Sequence, residues 1–294
     1  MATTAKNKPQ KKIFKSRIGR SVGGDISIFS VLCLFAAFMA LPLIYTVSNA
    51  FKPLDELFMF PPRFFVRNPT LENFTSLSSL VGQTIVPIGR YFMNTLLLTV
   101  VITFFHIIFA SLAAYILAKR DFPGKKFLST IVMWSLMFSA EVTAIPNYII
   151  TAKLGMIDTY WSLILPGIGA SLGLYLMRQF MGGVPNVLME SARIDGASEL
   201  RIFWKIVMPL VKPAWLTLMI LKIQGTWSMS GGATIFSEEL KTLDYAITQI
   251  TSAGLSRAGA SAALTFLMML LPLSVFIINQ SQVVQTMASS GIKD

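Results

Sequence analysis

Charge is scarce in this chain. Asp, Glu, Lys and Arg make up 13% of its 294 residues, while 54% are hydrophobic. Soluble domains carry about twice that share of charge, so a water-facing globular fold is excluded. Cysteine is almost missing. The single Cys33 lies in an apolar run, which rules out a disulfide or thiolate-metal framework and leaves a packing role. Histidine is as rare: His106 stands alone in an apolar stretch. No spacing of His, Cys, Asp or Glu has catalytic or metal-ligating form, so no catalytic residue and no metal site are expected. A lone membrane histidine serves either as a proton relay or, more commonly, as a hydrogen-bond partner of a neighbouring helix. The phosphate loop G-x-x-x-x-G-K-[ST] is also absent, and Gly124-Lys125-Lys126 is only part of a basic turn. The chain is therefore expected to bind no ATP of its own.

What is present is apolar sequence in long runs, the mark of a polytopic all-α membrane protein. Six spans are expected, at about 26–50, 91–117, 128–150, 161–180, 211–228 and 259–280. The first is too long for a signal-peptide core and has no small-residue cleavage site after it, so it reads as uncleaved. The net charge of +11 comes from Lys and Arg beside these runs. A nucleic-acid face would need a soluble domain to carry it, and none is present. Lys6 to Arg20, then Lys119, Arg120, Lys125 and Lys126, then Arg178, Arg193, Arg201, Lys205 and Lys212 all fall on one side if there are six spans. By the positive-inside rule that side is the cytoplasm, with both termini on it. The segments 51–90, 151–160 and 229–258 carry mixed charge and fall outside. Residues 1–25 form a basic N-terminal segment, and 26–294 a single six-span domain.

One cytoplasmic segment is unusually charged: "ESARIDGASELRIFWKIVMPLVKP", Glu190 to Pro213. Pro185 suits the first turn of a short helix reaching Ile194. Asp195-Gly196 is a turn signal, and Ser198 is placed to cap a second helix. Leu200, Phe203, Trp204 and Val207 would form its apolar stripe, and Pro209 would stop or bend it. The helix-turn-helix spans about 185–209. A DNA-reading role is implausible between membrane spans. A plain interfacial helix gives no reason for Asp-Gly in its middle.

The spacing of this segment resembles the EAA loop of ABC importer permeases, E-A-A, three residues, G, nine residues, I-x-L-P. Here Glu190-Ser191-Ala192 leads to Gly196, and nine residues later Ile206-Val207-Met208-Pro209 follows. Ser191 and Met208 are the two departures. The resemblance implies a type I ABC importer fold with a coupling loop. Glu190, Ser191, Ala192, Asp195, Gly196, Ile206 and Pro209 are then its ATPase-coupling residues, with the small Ser191 and Ala192 packing into a groove on the ATPase. "YFMNTLLLTVVIT" (Tyr91–Thr103) resembles the start of the family's core. Leu163–Ser198 is similar to the smaller permease of maltose-type carbohydrate importers. Leu240–Ile250 and Gln280–Asp294 are similar to a subgroup that works with large extracellular binding lipoproteins and oligosaccharides.

The implied partners are a homologous second permease, an ABC ATPase dimer that binds ATP and Mg, an extracellular solute-binding lipoprotein and membrane lipid, with no nucleic acid. The implied location is the bacterial cell membrane. "MSGGAT" (Met229–Thr234) faintly resembles the ABC signature but has no phosphate loop beside it. The outer loop of about 229–258 would either reach the binding protein, with Gly231-Gly232 giving flexibility, or be a plain surface loop. Two ionisable residues lie within expected spans, Glu141 and Lys222. They would pair with each other, face a wet path, or snorkel to an edge. With Asn147, Tyr148, Gln224 and Trp227 they outline a translocation path for a sugar. The alternatives are a permease for another solute, such as an amino acid or phosphate, and a polytopic glycosyltransferase. The latter would need clustered acidic residues at a membrane edge, and these are not seen.

Overall fold

The computed structural model describes residues 22–83, 86–252, 254 and 257–291. The basic residues 6–20 therefore lie outside the described residues, as does part of the ending Gln280–Asp294. The described chain is helical and irregular, with no strand among the described residues. Two compact units divide at Val47 and Ser48. The first is made by α1 (Val22–Ala50), whose single charge, Asp25, sits in the first turn, where the helix dipole favours an anion. At 1.5 Å per residue its 29 residues reach about 43 Å, more than a bilayer core of about 30 Å.

The second unit opens with α2 (Leu54–Leu57) and α3 (Glu72–Gln83). Two of the charges of this outer segment, Lys52 and Glu56, are buried. Lys52, 2% exposed, donates to Asn49 Oδ1 and the Arg63 carbonyl. The Glu56 carboxylate accepts from the Arg67 amide at 2.9 Å. Folding the connector between α1 and α3 leaves backbone groups to satisfy, and these two charges do so for the Arg63 carbonyl and the Arg67 amide.

The long helix α4 (Ile88–Lys119) follows, then α5 (Lys125–Ser135), α6 (Ala140–Lys153), α7 (Trp161–Ile168) and α8 (Ser171–Gly182). After α9 (Asn186–Ile194) come α10 (Glu199–Ile202), a π-helical turn at Phe203–Val207, α11 (Met208–Leu210) and α12 (Lys212–Trp227). A 3-10 turn at Glu238–Leu240, α13 (Leu243–Ser252) and α14 (Ala258–Gly291) complete the chain.

α4 packs against α7, α8, α12 and α13, and α12 packs against α14. Ala110, Ser111 and Ala114 are buried on α4, and such small residues let membrane helices approach closely. One core joins them to Met177, Met181, Ile202, Phe203 and Val207. A second gathers Tyr91, Trp227, Leu243, Ala263 and Leu264.

The expected six spans become four helical stretches long and apolar enough to cross a membrane, and two bent pairs. The expected span 128–150 is α5 and α6, crossing at 111°. Ser139 is extended and starts α6 afresh, so Glu141 lies in the first helical turn after the break of the bent pair. The expected span 161–180 is interrupted at Gly169–Ala170. The expected span 211–228 turns by 79° from the helix before it, at Val211, two residues beyond Pro209. Apolar content sets the cost of leaving water; it does not say where a helix breaks.

Candidate functional site

The charged segment folds as a helix, a tight turn and a second helix. Pro185 is extended and stands as the N-cap of α9. Met189 and Ala192 turn inward, while Val187, Glu190, Ser191, Ile194 and Asp195 face out. Ala192 is thus small for packing within the chain, not for an external groove, which leaves Ser191 as the small outward residue. The Ser191 hydroxyl donates to the Val187 carbonyl at 2.9 Å.

The turn is a Schellman motif. The Gly196 amide donates to the Arg193 carbonyl and the Ala197 amide to the Ala192 carbonyl. Gly196 has φ +75°, the left-handed region where a side chain is strained. Ser198 caps α10, its hydroxyl accepting from the Arg201 amide. The expected stripe holds only in part. Phe203 and Val207 are buried, but Leu200 is 65% exposed and Trp204 48%. The π-helical turn adds a residue to the helical repeat, so Ile202, Phe203, Val207, Met208 and Val211 share the buried side. Ile206 is half-buried and Pro209 exposed.

Glu199, not singled out above, is the polar centre of this region. Its carboxylate accepts from Arg193 Nε at 2.8 Å and from the Tyr115 hydroxyl at 2.9 Å, and it also pairs with Arg120. The Arg193 bond first, then Tyr115 and Arg120, hold its carboxyl down at about 2 against partial desolvation.

The opposite end of α4 holds the loop after α12. Tyr91 donates to Glu238 at 2.6 Å, and Asn94 Nδ2 donates to the carbonyls of Glu239 and Lys241. The Leu243 amide donates to Thr95 Oγ1. Asp158 accepts from the amides of Phe236 and Ser237 at 2.9 and 2.7 Å and from the Ser237 hydroxyl. These bonds, the Ser237 hydroxyl foremost, lower its pKa. Gly231 adopts φ +66° in a turn closed by the amides of Thr234 and Ile235 on its carbonyl, and side chains from α4 and Asp158 tie the loop down.

The path residues do not converge. Glu141, Asn147 and Tyr148 are exposed on α6. On α12, Lys222 is half-buried, Gln224 exposed and Trp227 buried at 1% exposure. Trp227 donates its indole N–H to the Met268 carbonyl at 3.0 Å, so in this conformation it is a core residue and not a path lining. Glu141 and Lys222 make no ion pair with each other among the described residues. His106 takes the helix-bonding role. Its Nδ1 lies 2.7 Å from the Ile168 carbonyl, which the break after α7 leaves free. That carbonyl only accepts, so Nδ1 carries the proton.

A family model, "Binding-protein-dependent transport system inner membrane component", matches residues 106–283. The chain belongs to that family. Among relatives of this permease, the arabinooligosaccharides transport system permease protein AraQ of Halalkalibacterium halodurans is 33% identical over 66% of this chain and 69% of its own. The polygalacturonan/rhamnogalacturonan transport system permease protein YtcP of Bacillus subtilis is 31% identical over 69% of each chain. A chain in the crystal structure of a bacterial ABC transporter involved in import of the acidic polysaccharide alginate matches with a TM-score of 0.74. It is 21% identical, and the match covers 87% of this permease and 95% of that chain. The fold is that of the type I ABC permeases, and the protein is a multi-pass transporter subunit, not an enzyme.

The permease also carries an apolar cleft of about 740 Å³ between α4, α12 and α14, lined by Trp204, Trp215 and Met219 among others. Thr99 and Thr103 also line it, and their buried hydroxyls have no hydrogen-bond partner among the described residues. Sequence reasoning missed Glu199, Asp158 and Asn94 as anchors. Asn94 and Thr95 lie within the quoted "YFMNT" stretch, so the signal was present. Asp158 carried one only in its conformation, φ +58°.

Proposed function

We propose that this permease is one half of the membrane channel of an ATP-driven importer for carbohydrate, an oligosaccharide, in the bacterial cell membrane. It pairs with a homologous second permease, two ABC ATPase subunits that bind ATP and Mg, and an extracellular solute-binding lipoprotein. Both termini and the 185–209 loop face the cytoplasm. Closure of the ATPases moves that loop and switches the spans between outward and inward access. Glu141, Asn147, Tyr148, Lys222 and Gln224 are solute-path candidates for a conformation in which the helices open.

The observation that carries the coupling role is the outward face of α9. Glu190, Ser191, Ile194 and Asp195 stand free beside a rigid Schellman turn, and Ile194 is 88% exposed. Val187, 66% exposed, lies seven residues before Ile194 on the same face of α9, and an apolar strip so exposed beside a charge-rich turn fits a protein contact. The apolar cleft supports a second membrane subunit as partner. The names of the relatives support the sugar.

The experiment is to purify the intact complex and screen its binding protein against a panel of oligosaccharides, amino acids and phosphate. Binding confined to glycans is the expected result; binding only of amino acids or phosphate would replace the sugar reading. Gly196→Pro and Glu190→Arg should each leave the permease in the membrane and separate ATP hydrolysis from uptake. Normal uptake by both would end the coupling assignment.

A further inference from the structure

We propose that α4 is the rod by which motion of α9 reaches the opposite end of the permease, with Lys119 and Glu199 as the positioning residues that strap α9 to it. The inference rests on the reading above that α9 docks on an ATPase.

Both ends of α9 are held by the last turns of α4. At the N-terminal end, Lys119 Nζ donates to the carbonyls of Gly182 and Val184 and to Asn186 Oδ1. It thereby closes the corner between α8 and α9. At the C-terminal end, Glu199 joins Arg193, in the last turn of α9, to Tyr115 and Arg120. Tyr115 and Lys119 are four residues apart and so share one face of α4. Between the straps only Met189 and Ala192 of α9 pack inward. Apolar contact resists compression but permits sliding, whereas directional hydrogen bonds at both ends resist sliding and rotation.

α4 suits the transmission of movement. It runs 32 residues with no interior proline, about 48 Å at 1.5 Å per residue. Three neighbouring routes across the unit are interrupted, α5 to α6 at 111°, α11 to α12 at 79° and α7 to α8 at Gly169–Ala170, while α14 is continuous but carries Pro272 within it, which removes a helix hydrogen bond. At its far end Tyr91, Asn94 and Thr95 grip residues 238–243. The same helix thus holds the coupling helix at one end and the opposite loop at the other.

The ion pairs of the Glu199 strap are poor candidates for mere stabilisers. Arg120, Arg193 and Glu199 side chains are 44, 36 and 42% exposed, and ion pairs at that exposure add little to folding stability. Their loss should therefore loosen the linkage while the fold persists.

The test uses the full complex in proteoliposomes, with uptake per ATP hydrolysed as readout. Lys119→Met with Glu199→Ala is expected to lower uptake per ATP about fivefold or more, the lower range of allosteric coupling, with basal hydrolysis and the thermal unfolding midpoint close to the parent. Tyr115→Phe, which deletes one bond and no charge, should give a smaller drop in the same direction, and it serves as the test if the double variant does not assemble. Parental uptake per ATP in the variant tested overturns the proposal. So does a drop that tracks a fall in thermal midpoint, which would mark a structural role. A cysteine at Ile194 in the otherwise parental complex reports the docking reading separately. Cross-linking to the ATPase with normal coupling in the variant defeats the straps alone, and no cross-linking defeats the docking on which they rest.

Discussion

Two glycines separate conformational need from spatial need. Gly196 has open space around it, with no atom within 4 Å of an added Cβ, but sits at φ +75°. Gly196→Ala should therefore cost about 1–2 kcal/mol through backbone strain alone, and Gly196→Asn less, since Asn tolerates that region. Gly173 is the opposite case. A Cβ there would lie 2.2 Å from His106 Nε2 and 3.0 Å from Leu218 Cδ1. The His106 ring is tied to the Ile168 carbonyl and cannot swing away cheaply. Gly173→Ala should cost about 1–3 kcal/mol by overpacking, and His106→Ala in the same chain should recover part of it, a non-additive pair. Thermal unfolding of the detergent-solubilised permease measures both series. Equal losses at Gly173 with and without His106 would remove the steric account. Gly196 was legible because Asp-Gly between two helical patterns is a local signal. Gly173 was not, because the ring it accommodates lies 67 residues away.

Among elements, the loop 229–242 changed most from expectation. Gly231-Gly232 read as flexible, yet Asp158 and the first turns of α4 hold the loop in place. The lowered pKa of Asp158 sets the sign of its pH dependence. A carboxylate whose folded pKa lies below the ordinary 3.8 contributes its full share above 3.8. That share is lost as pH falls through the lower folded value. Hydrogen exchange at the Phe236 and Ser237 amides should be slow at neutral pH and accelerate only in strong acid. Asp158→Ala should show fast exchange at neutral pH as well. Protection that survives the substitution would mean that α4 alone orders the loop. A second element, the π-helical turn, begins beyond Leu200 and brings Val207 and Met208 together onto the buried side. The added residue rotates everything after it, and nothing in the local sequence marks that insertion.

For the whole molecule, the arrangement to be tested is topology. The topology proposed above has both termini and the α9 turn on the cytoplasmic side and the loop held by Asp158 on the other. With Cys33 first replaced, a cysteine at Phe236, which is 58% exposed, should react with an impermeant thiol reagent added to intact cells. One at Ser191 should react only after the membrane is opened. Labelling of Ser191 from outside would invert the scheme. The two bent pairs and the four other apolar stretches reach six crossings only if each bent pair counts as one, and this labelling pattern requires an odd number of crossings between the two positions.

The sequence by itself determined the solvent and the motif. Apolar runs and scarce charge placed the chain in a membrane, because the free energy of transfer sums over residues whatever their partners. The 190–209 spacing carried the turn, because Ser198, Gly196 and Pro185 act on their own backbone within a few residues. Tertiary structure alone decided where the helices break, which way Ala192 faces, and that Trp227 belongs to the core through Met268. It alone joined Asp158 to Ser237 and Glu199 to Tyr115. Those bonds link groups 79 and 84 residues apart, and such partners are chosen by packing, which no local pattern records.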